Sequence, residues 1–407
     1  MAELDVQMPT VVAGLHFRNP FLVGSGPSSR TLEQLIEAER CGWAAAAIKL
    51  TIDPPAYINR PPRYHWSAKG QMHMFTAERR LTMDEGLRLV EQARARTREL
   101  ILLANMAYTG DGLDGWARMA SRFRDAGAHA IELNLCCPNM SFNLDVSGRE
   151  PTGRPSSGAS VGQDPEAVAA IVAAVREAVD LPIFAKLTPE GGRLGLVARR
   201  AFEAGADCLA STANRVGVPE IDIHQPFKPV YRLQDAHSIS CLSGPWIKPL
   251  GLRDVYEMRV ACGPGRPLVG YGGVRTYADA VQYAMLGADL IGICTETMLR
   301  GFGFLGDLIA RLRQYMSQMG FGRWSDLHNL LASRFASADE LVLAPGYAVV
   351  DQTICKACGR CVQIGHCYAI EGGRGRKAVV LAGRCEACGT CVDLCPSGAI
   401  RIVEASD

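Results

Sequence analysis

Fifteen cysteines run through this 407-residue chain, and eight of them are crowded between Cys355 and Cys395. Residues 355–367 read C-x2-C-x2-C-x5-C, and residues 385–396 read C-x2-C-x2-C-x3-C-P. Thiolates at this close, repeated spacing wrap one face of an iron–sulfur cube. In the two-cluster arrangement the fourth cysteine of each run ligates the other cluster. The pattern therefore assigns Cys355, Cys358, Cys361 and Cys395 to one [4Fe–4S] cluster, and Cys385, Cys388, Cys391 and Cys367 to a second. Zinc knuckles are the competing reading, but zinc takes four ligands with a longer gap between pairs. A triple C-x2-C-x2-C is poorly explained that way. His366, in "GHC", reads as a packed or solvated side chain and not as a ligand. Such a segment passes electrons one at a time.

A second concentration of chemistry is "IELNLCCPNM", residues 131–140, where an apolar alternation runs straight into Cys136, Cys137 and Pro138. Packing, metal ligation and reaction chemistry are the uses open to that pair, and the surrounding elements decide what it can reach. Short apolar runs recur at "FLVGSG" (21–26), "AAAAIKL" (44–50), "LILLANM" (100–106), "AIELNLC" (130–136), "IFAKLT" (183–188), "DCLAST" (207–212), "PLVGYGG" (267–273) and "LIGICT" (290–295). Amphipathic stretches lie at 30–40, 84–98, 113–127, 165–178, 193–204, 251–262, 276–286 and 302–318. Eight strand–helix pairs predict parallel strands closed into a (β/α)8 TIM barrel. An open doubly wound sheet is the alternative. "GSGPSS" after the first strand lacks the third glycine of a dinucleotide fingerprint, which argues against a nicotinamide site on this chain.

Barrels place their chemistry at the C-terminal ends of the strands. Those ends carry Ser25, Lys49, Asn105, Asn134, the Cys136–Cys137 pair, Lys186, Ser211, the glycines of "GYGG" (Gly272 and Gly273) and Thr295. Two lysines on buried strand ends are costly unless an anion or a polar ring pairs with them. The glycines after strand 7 and Thr295 after strand 8 sit where barrels commonly hold a phosphate. "LSGPWIKP" adds Ser243 and Gly244, and backbone N–H groups in glycine turns approach phosphate oxygens closely. Each glycine taken alone is equally an ordinary turn residue. Together with the two lysines, a phosphorylated cofactor is the better account.

Hydrophobic residues are 48% and charged residues 21% of the chain, which marks it as globular. A formal net charge of +1 gives no electrostatic case for nucleic acid or an anionic membrane. "MAELDVQMPT" does not read as a signal peptide, and no window approaches eighteen uninterrupted apolar residues. The expectation is a soluble cytoplasmic protein.

The motifs "NPFLVGSG", "AIKLT", "ELNLCCPN", "GQDPE", "FAKLTP", "SGPWIKP" and "GYGGV", in that order, resemble the flavin mononucleotide (FMN) barrel of the dihydroorotate dehydrogenase family. The C-terminal segment resembles a small α+β bacterial-type two-cluster ferredoxin domain. It departs only in the five residues before Cys367 and the missing proline after it. Barrel and ferredoxin together are similar to the dihydropyrimidine dehydrogenase branch. The resulting division is a barrel over 1–325, a linker over 326–345 and a ferredoxin domain over 346–407.

The resemblance implies roles. The family's strand-4 cysteine before proline gives or takes the proton at substrate carbon, and Cys137 occupies that place. Cys136 stands where the family usually has serine, and reads as a small buried side chain beneath the flavin. Lys49 and Lys186 would contact polar atoms of the isoalloxazine or ribityl chain, and Ser25 and Asn105 would line the ring. Ser243, Gly244, Gly272, Gly273 and Thr295 would hold the phosphate, and Asn134 and Asn139 would touch the substrate. The chemistry is independently consistent: reduced flavin delivers a hydride to one end of an activated C=C bond, and the adjacent carbon then needs a proton. A thiol of ordinary pKa, about 8.5, is mostly protonated at neutral pH and serves as general acid. Residues 139–162, rich in Gly, Ser and Pro, read as a lid over it.

Two substrate positions depart from the pyrimidine-binding pattern of asparagines. Asp111 falls in the strand-3 loop where asparagine is expected. "LASTAN" puts Ala210 in the strand-6 asparagine place, leaving Ser211 as the matching hydroxyl, with Asn214 one turn on. Such losses cost roughly 1–3 kcal/mol per unpaired group. The leading reading is reduction or reversible oxidation of a C=C bond beside a carbonyl, first in uracil or thymine, with dihydroorotate oxidation as a variant. A non-pyrimidine heterocycle, a conjugated carbonyl compound, or a pure electron relay are the alternatives. Electrons would come from an NAD(P)H-oxidising flavoprotein subunit or a ferredoxin, in a homo- or hetero-oligomer.

Overall fold

The structure, a computed structural model, describes residues 5–55, 59–76, 78–137, 158–211 and 214–405. The chain divides into two compact units, the first ending at Arg334 and the second beginning at Phe335. Each is built around its own core.

Eight strands of the first unit coincide with the eight apolar runs: β1 Phe21–Val23, β2 Ala45–Ala47, β3 Ile101–Tyr108, β4 Ala130–Leu135, β5 Ile183–Leu187, β6 Cys208–Ser211, β7 Leu268–Tyr271 and β8 Leu290–Ile293. All pair in parallel with their sequence neighbours, and β8 pairs with β1, so the sheet closes. The alternative of an open sheet is thereby excluded. β4 sits between β3 and β5, with Ile131 opposite Ala104 on one side and Ile183 on the other. That register brings Glu132 level with Asn105, and Asn134 level with Lys186.

The helices follow the strands: α1 Leu32–Arg40, α2 Met83–Arg96, α3 Asp114–Asp125, α4 Pro165–Ala178, α5 Leu194–Glu203, α6 Lys248–Cys262, α7 Tyr277–Met285 and α8 Phe304–Met319. Their starts are chemically specified. Thr31 caps α1 with Gln34 returning the contact, Thr82 and Glu85 do the same for α2, and Asp164 caps α4 ahead of Pro165. The strands are apolar on both faces because one face meets these helices and the other fills the barrel. The interior layer includes Leu22, Ala45, Leu103, Ala130, Phe184 and Leu290, and the hairpin Thr10–Val12/Leu15–Phe17 adds Val12 and Phe17 to it.

The periodicity did not announce a second sheet. Strands Tyr64–Ser67, Met72–Phe75, Arg215–Gly217 and Ser240–Ser243 form a four-stranded antiparallel layer. They come from the loops that follow β2 and β6, the chemistry-bearing ends of the barrel. His73 and Phe75 fall on one face of that layer and Met72 and Met74 on the other, as a period of two requires.

In the second unit, Gly346–Val350 pairs antiparallel with Ile400–Glu404, and Ile370–Gly373 with Arg376–Val380. The two cysteine runs repeat one conformation. Ala357 and Ala387 have φ of 51° and 53°, each followed two residues later by a left-handed glycine, Gly359 and Gly389. Positive φ at alanine is unfavourable, so its recurrence at matched positions shows that both runs are bent the same way.

Candidate active site and cysteine cavities

A cleft of about 760 Å³ opens at the strand ends. Its floor and sides carry Ser25, Lys186, Ser243, Gly244, Gly272, Gly273 and Thr295, which unites strands far apart in sequence as expected. The hydroxyls of Ser243 and Thr295 stand 3.2 Å apart. Gly273, at φ +67°, could not be replaced cheaply: an added Cβ would lie 2.9 Å from both the Pro245 carbonyl oxygen and the Lys248 Cβ. The turn is thus a bare-backbone cradle beside two hydroxyls.

Both strand-end lysines are answered by carboxylates. Lys49 pairs with Glu78, which lines the cleft. Lys186 lies 3.8 Å from Glu132 and sits over the Tyr271 ring at 4.1 Å from its centroid. Burial works to lower the Lys186 pKa, but Glu132 and the thiols of Cys136, Cys294 and Cys137 outweigh it, and the net shift is upward. Lys186 therefore stays a cation. Glu132 also accepts from Asn105 Nδ2 and from the Tyr271 hydroxyl at 3.3 Å. Tyr271 fits across the barrel because β8 has Gly292 beside it; a Cβ there would come within 2.0 Å of the ring.

This network continues to the cysteines. Asn134 Nδ2 donates to Asn105 Oδ1 at 3.1 Å, while Asn134 Oδ1 accepts from the Cys137 backbone N–H at 3.1 Å. Cys136 Sγ–H points at the same oxygen from 3.4 Å and is 3% exposed, whereas Cys137 is only half-buried. The Cys137 carbonyl accepts from Ala159 N–H at 3.3 Å. Burial holds the neighbouring Cys294 thiol up at about 11, so it remains protonated.

Two expected substrate residues, like Lys49, Asn134 and Cys137, are not among the cleft residues. Ser211 does not line the cleft: it is fully buried at the end of β6, with its hydroxyl 3.4 Å from Asp254 Oδ2. Asp111 is exposed in the loop after β3 and is not among the cleft residues. β6 ends too early for Ser211 to reach the cleft, and Asn214, three residues on, lines it instead. Ala210 is core. Asn105 is fully buried and is not among the cleft residues; it bonds Glu132 and Asn134. Asn139, and most of the expected lid, lie outside the described residues. Glu132, Glu78 and His73 were missed. Glu132 was readable, since it shares a strand face with Asn134 in "IELNL" and interrupts an otherwise apolar run.

The second unit holds two cavities. One, of about 370 Å³, is lined by Cys355, Cys358, Cys361 and Cys395. The other, of about 690 Å³, is lined by Cys367, Cys385, Cys388 and Cys391. Each set draws its fourth cysteine from the other run. His366 lies 3.6 Å from Cys388 Sγ.

Residues 7–316 match the dihydroorotate dehydrogenase family, and residues 378–401 match the 4Fe-4S binding domain. The chain is 28% identical over 368 residues to the NAD-dependent dihydropyrimidine dehydrogenase subunit PreA of Escherichia coli (strain K12), covering 88% of this chain and 85% of that protein. It is 26% identical over 359 residues to the chloroplastic dihydropyrimidine dehydrogenase (NADP(+)) of Arabidopsis thaliana, covering 84% and 80%. With the catalytic subunit of dihydroorotate dehydrogenase B (NAD(+)) from Desulforudis audaxviator it shares 28% identity over 319 residues, covering 78% of this chain and 95% of the relative. The barrel, the cleft and these matches agree: the chain belongs to the dihydroorotate dehydrogenase family of flavin-dependent oxidoreductases, joined to a C-terminal 4Fe–4S ferredoxin domain.

Proposed function

We propose that this chain is an FMN and iron–sulfur oxidoreductase that reduces, or reversibly oxidises, a C=C bond beside a carbonyl, with uracil- or thymine-like rings as its first substrate class. The observation that carries the reading is the hydrogen-bonded line from the Cys137 backbone N–H through Asn134 and Asn105 to Glu132, whose ion pair with Lys186 ends in the cleft. A thiol held half-buried at a strand end, against an amide that fixes its backbone, suits a general acid.

The residues present fit FMN. The Gly272–Gly273 and Ser243–Gly244 turns with Thr295 would take its phosphate, and Lys49, Lys186 and Ser25 its polar ring and ribityl atoms. Asn105 would act from behind, by orienting Asn134 and Glu132. FMN, when bound, supplies two-electron exchange with substrate and one-electron exchange with iron–sulfur clusters. Cys137 moves a proton between Sγ and the substrate carbon. Asn134 orients it, and Asn134, Asn139 and Asn214 would hold polar groups of the substrate. The two cysteine cavities would each hold one [4Fe–4S] cluster.

Electrons would arrive through a partner that oxidises NADH or NADPH, or through a ferredoxin; two relatives are named as subunits of NAD-dependent enzymes. Among the described residues no helix is long and apolar enough to cross a membrane.

Cys137→Ala tests the reading against a pure electron relay, which needs no proton donor. Both cofactors should remain, while turnover with the best pyrimidine falls at least about a hundredfold. Cys136→Ser should be mild. Unchanged turnover in Cys137→Ala would remove the mechanism.

A further inference from the structure

The two cysteine runs share a backbone and differ in charge. "CKACGRC" (355–361) and "CEACGTC" (385–391) carry the same left-handed pair, Ala357 with Gly359 and Ala387 with Gly389. At the other matched places Lys356 corresponds to Glu386 and Arg360 to Thr390. The bend needs neither cation, since the second run adopts it with a carboxylate and a hydroxyl. Lys356 and Arg360 both line the first cavity, and Arg376 joins them from the strand Arg376–Val380. Arg374, in the turn between Ile370–Gly373 and Arg376–Val380, forms a backbone bridge with Cys358. The Gly375 N–H donates to the Ala357 carbonyl at 3.0 Å. The backbone that carries the two arginines is therefore fixed beside the run.

All four cations are exposed, and none forms an ion pair among the described residues. No carboxylate lines the cavity they surround; Asp351 and Glu371, the acidic residues closest in sequence, lie outside its lining. Its exposed lining is Lys356, Cys358, Arg360, Arg376 and Pro396, with no large apolar side chain. The second cavity differs: its lining sets Glu386 against Arg384 and exposes Tyr368 and Ile402. The strand beside it, Gly346–Val350, carries no charge, and the Ala348 N–H donates to Cys385 Sγ at 3.3 Å. Four thiolates are thus housed there without surplus cations, so offsetting a cluster's own charge does not account for those around the first. Unpaired cations about one opening focus the field there and speed the encounter of an anionic partner. Obligate subunit interfaces are large and apolar, whereas redox encounters are small and transient. A charged rim without large apolar side chains belongs to the second kind.

We propose that Lys356, Arg360, Arg374 and Arg376 form the docking surface for a small acidic one-electron carrier protein, and that electrons enter or leave the chain at the cluster site of Cys355, Cys358, Cys361 and Cys395. This rests on the cluster assignment proposed above, and of the electron partners considered there it selects the ferredoxin-type carrier. In each encounter that reduces the chain, one electron leaves the carrier and one is taken up at that site; no bond forms or breaks and no proton moves. Two encounters supply the two electrons that saturate one C=C bond, its two protons coming from solvent.

The test uses the full-length holoprotein, its iron content measured, and two probe carriers of opposite charge: a plant-type [2Fe–2S] ferredoxin, which is acidic, and cytochrome c, which is basic. Association is followed on an optical biosensor at low and at physiological salt. Ferredoxin should bind the wild type with an association rate constant that falls at least about tenfold between the two salts, and cytochrome c should not bind. K356E/R360T, which gives the first run the residues of the second, should keep its iron and lower the low-salt rate constant at least about tenfold. R374Q/R376Q should lower it in the same direction, and it stands in if K356E/R360T loses iron. R311E/R313T, the same charge change on α8 of the barrel, should leave it within about twofold. Equal association in wild type and both rim variants, an equal loss in R311E/R313T, equal binding of cytochrome c, or no ferredoxin binding at low salt overturns the proposal. Ferredoxin that docks on this rim of a chain reducing no pyrimidine would sink the proposed reaction and leave the docking surface standing. Pyrimidine turnover driven by a chemical reductant, without ferredoxin binding, would do the reverse. A wild type with no cluster at the first cysteine set overturns both.

Discussion

The barrel and the ferredoxin unit solve the problem of holding a redox group in opposite ways. In the barrel the polar site is complete within the protein: each strand-end lysine has its carboxylate, and Asn105, Asn134 and Tyr271 are joined through Glu132. Its core runs through more than forty buried apolar side chains, including Trp43, Trp116 and Trp324. The ferredoxin unit has a core of Ala348, Cys361, Ile364, Ile370, Ala378, Cys391 and Ile400, and two of those seven are themselves proposed ligands. A domain that small buries little apolar surface, and here its centre is two thiol-lined cavities. The barrel is a fold that accepts a cofactor, whereas the ferredoxin unit would draw much of its stability from the clusters proposed for its two cavities.

The largest break in that contrast comes from the buried ligands. Cys391→Ala should lower iron from about eight per chain to about four, the content of one cube instead of two. Trypsin should then cut freely beyond residue 335, while the barrel fragment stays intact. Cys137→Ala, in the other unit, should leave iron and protease resistance untouched and act on turnover alone. If Cys391→Ala kept all its iron, the cross-paired assignment would fall. If it melted the barrel too, the two units would not be independent in stability.

A smaller effect tests whether the barrel's charge network is intrinsic. Glu132→Gln keeps the shape and one acceptor for Asn105 but leaves Lys186 with no carboxylate. Losing one partner of a buried pair costs on the order of 3 kcal/mol, so thermal unfolding of the barrel should begin earlier even before flavin is added. The cluster absorbance of the ferredoxin unit should not change. An unaltered barrel transition would mean that Lys186 is stabilised by Tyr271 and solvent, without need of Glu132.

The reach of the sequence follows the same division. The grouping of the cysteines was legible because each run repeats at a spacing of three residues, and spacing survives without knowledge of the fold. The eight strands were legible because burial on both faces forces continuous apolar runs, and strand ends then named Lys49, Lys186 and Asn134. What those lysines touch was not legible. Glu132 becomes the partner of Lys186 only when β4 and β5 are set side by side, and Glu78 meets Lys49 from a loop 29 residues further on. His73 was hidden for a related reason. "MHMF" reads as an ordinary alternating strand, and only its pairing with Ser240–Ser243 lays it along the cleft. Ser211 was misplaced because β6 stops there, and the chain needs three more residues to reach the cleft at Asn214.

The smallest expected effect separates the units by pH. His129 is held neutral in the barrel: its Nδ1 accepts from Leu102 N–H at 2.9 Å, and Arg94 lies 2.5 Å from Nε2. Burial, and then the Arg94 charge, lower its pKa to about 4, and burial does the same to His73. An unfolded histidine titrates near 6.5. Between about pH 6.5 and 4 the unfolded chain therefore binds protons that the folded barrel refuses, so barrel stability falls as pH drops through that window. The ferredoxin unit contains one histidine, His366, and it is exposed, so no buried imidazole enters its own transition. Calorimetry at pH 7, 6 and 5 would show it, with most carboxylates still ionised over that range. His129→Gln should start from a lower melting temperature at pH 7 and then lose less on acidification, because one of the refused protons is gone. A parallel decline in wild type and His129→Gln would place the pH dependence elsewhere in the barrel, with His73 the next residue to change.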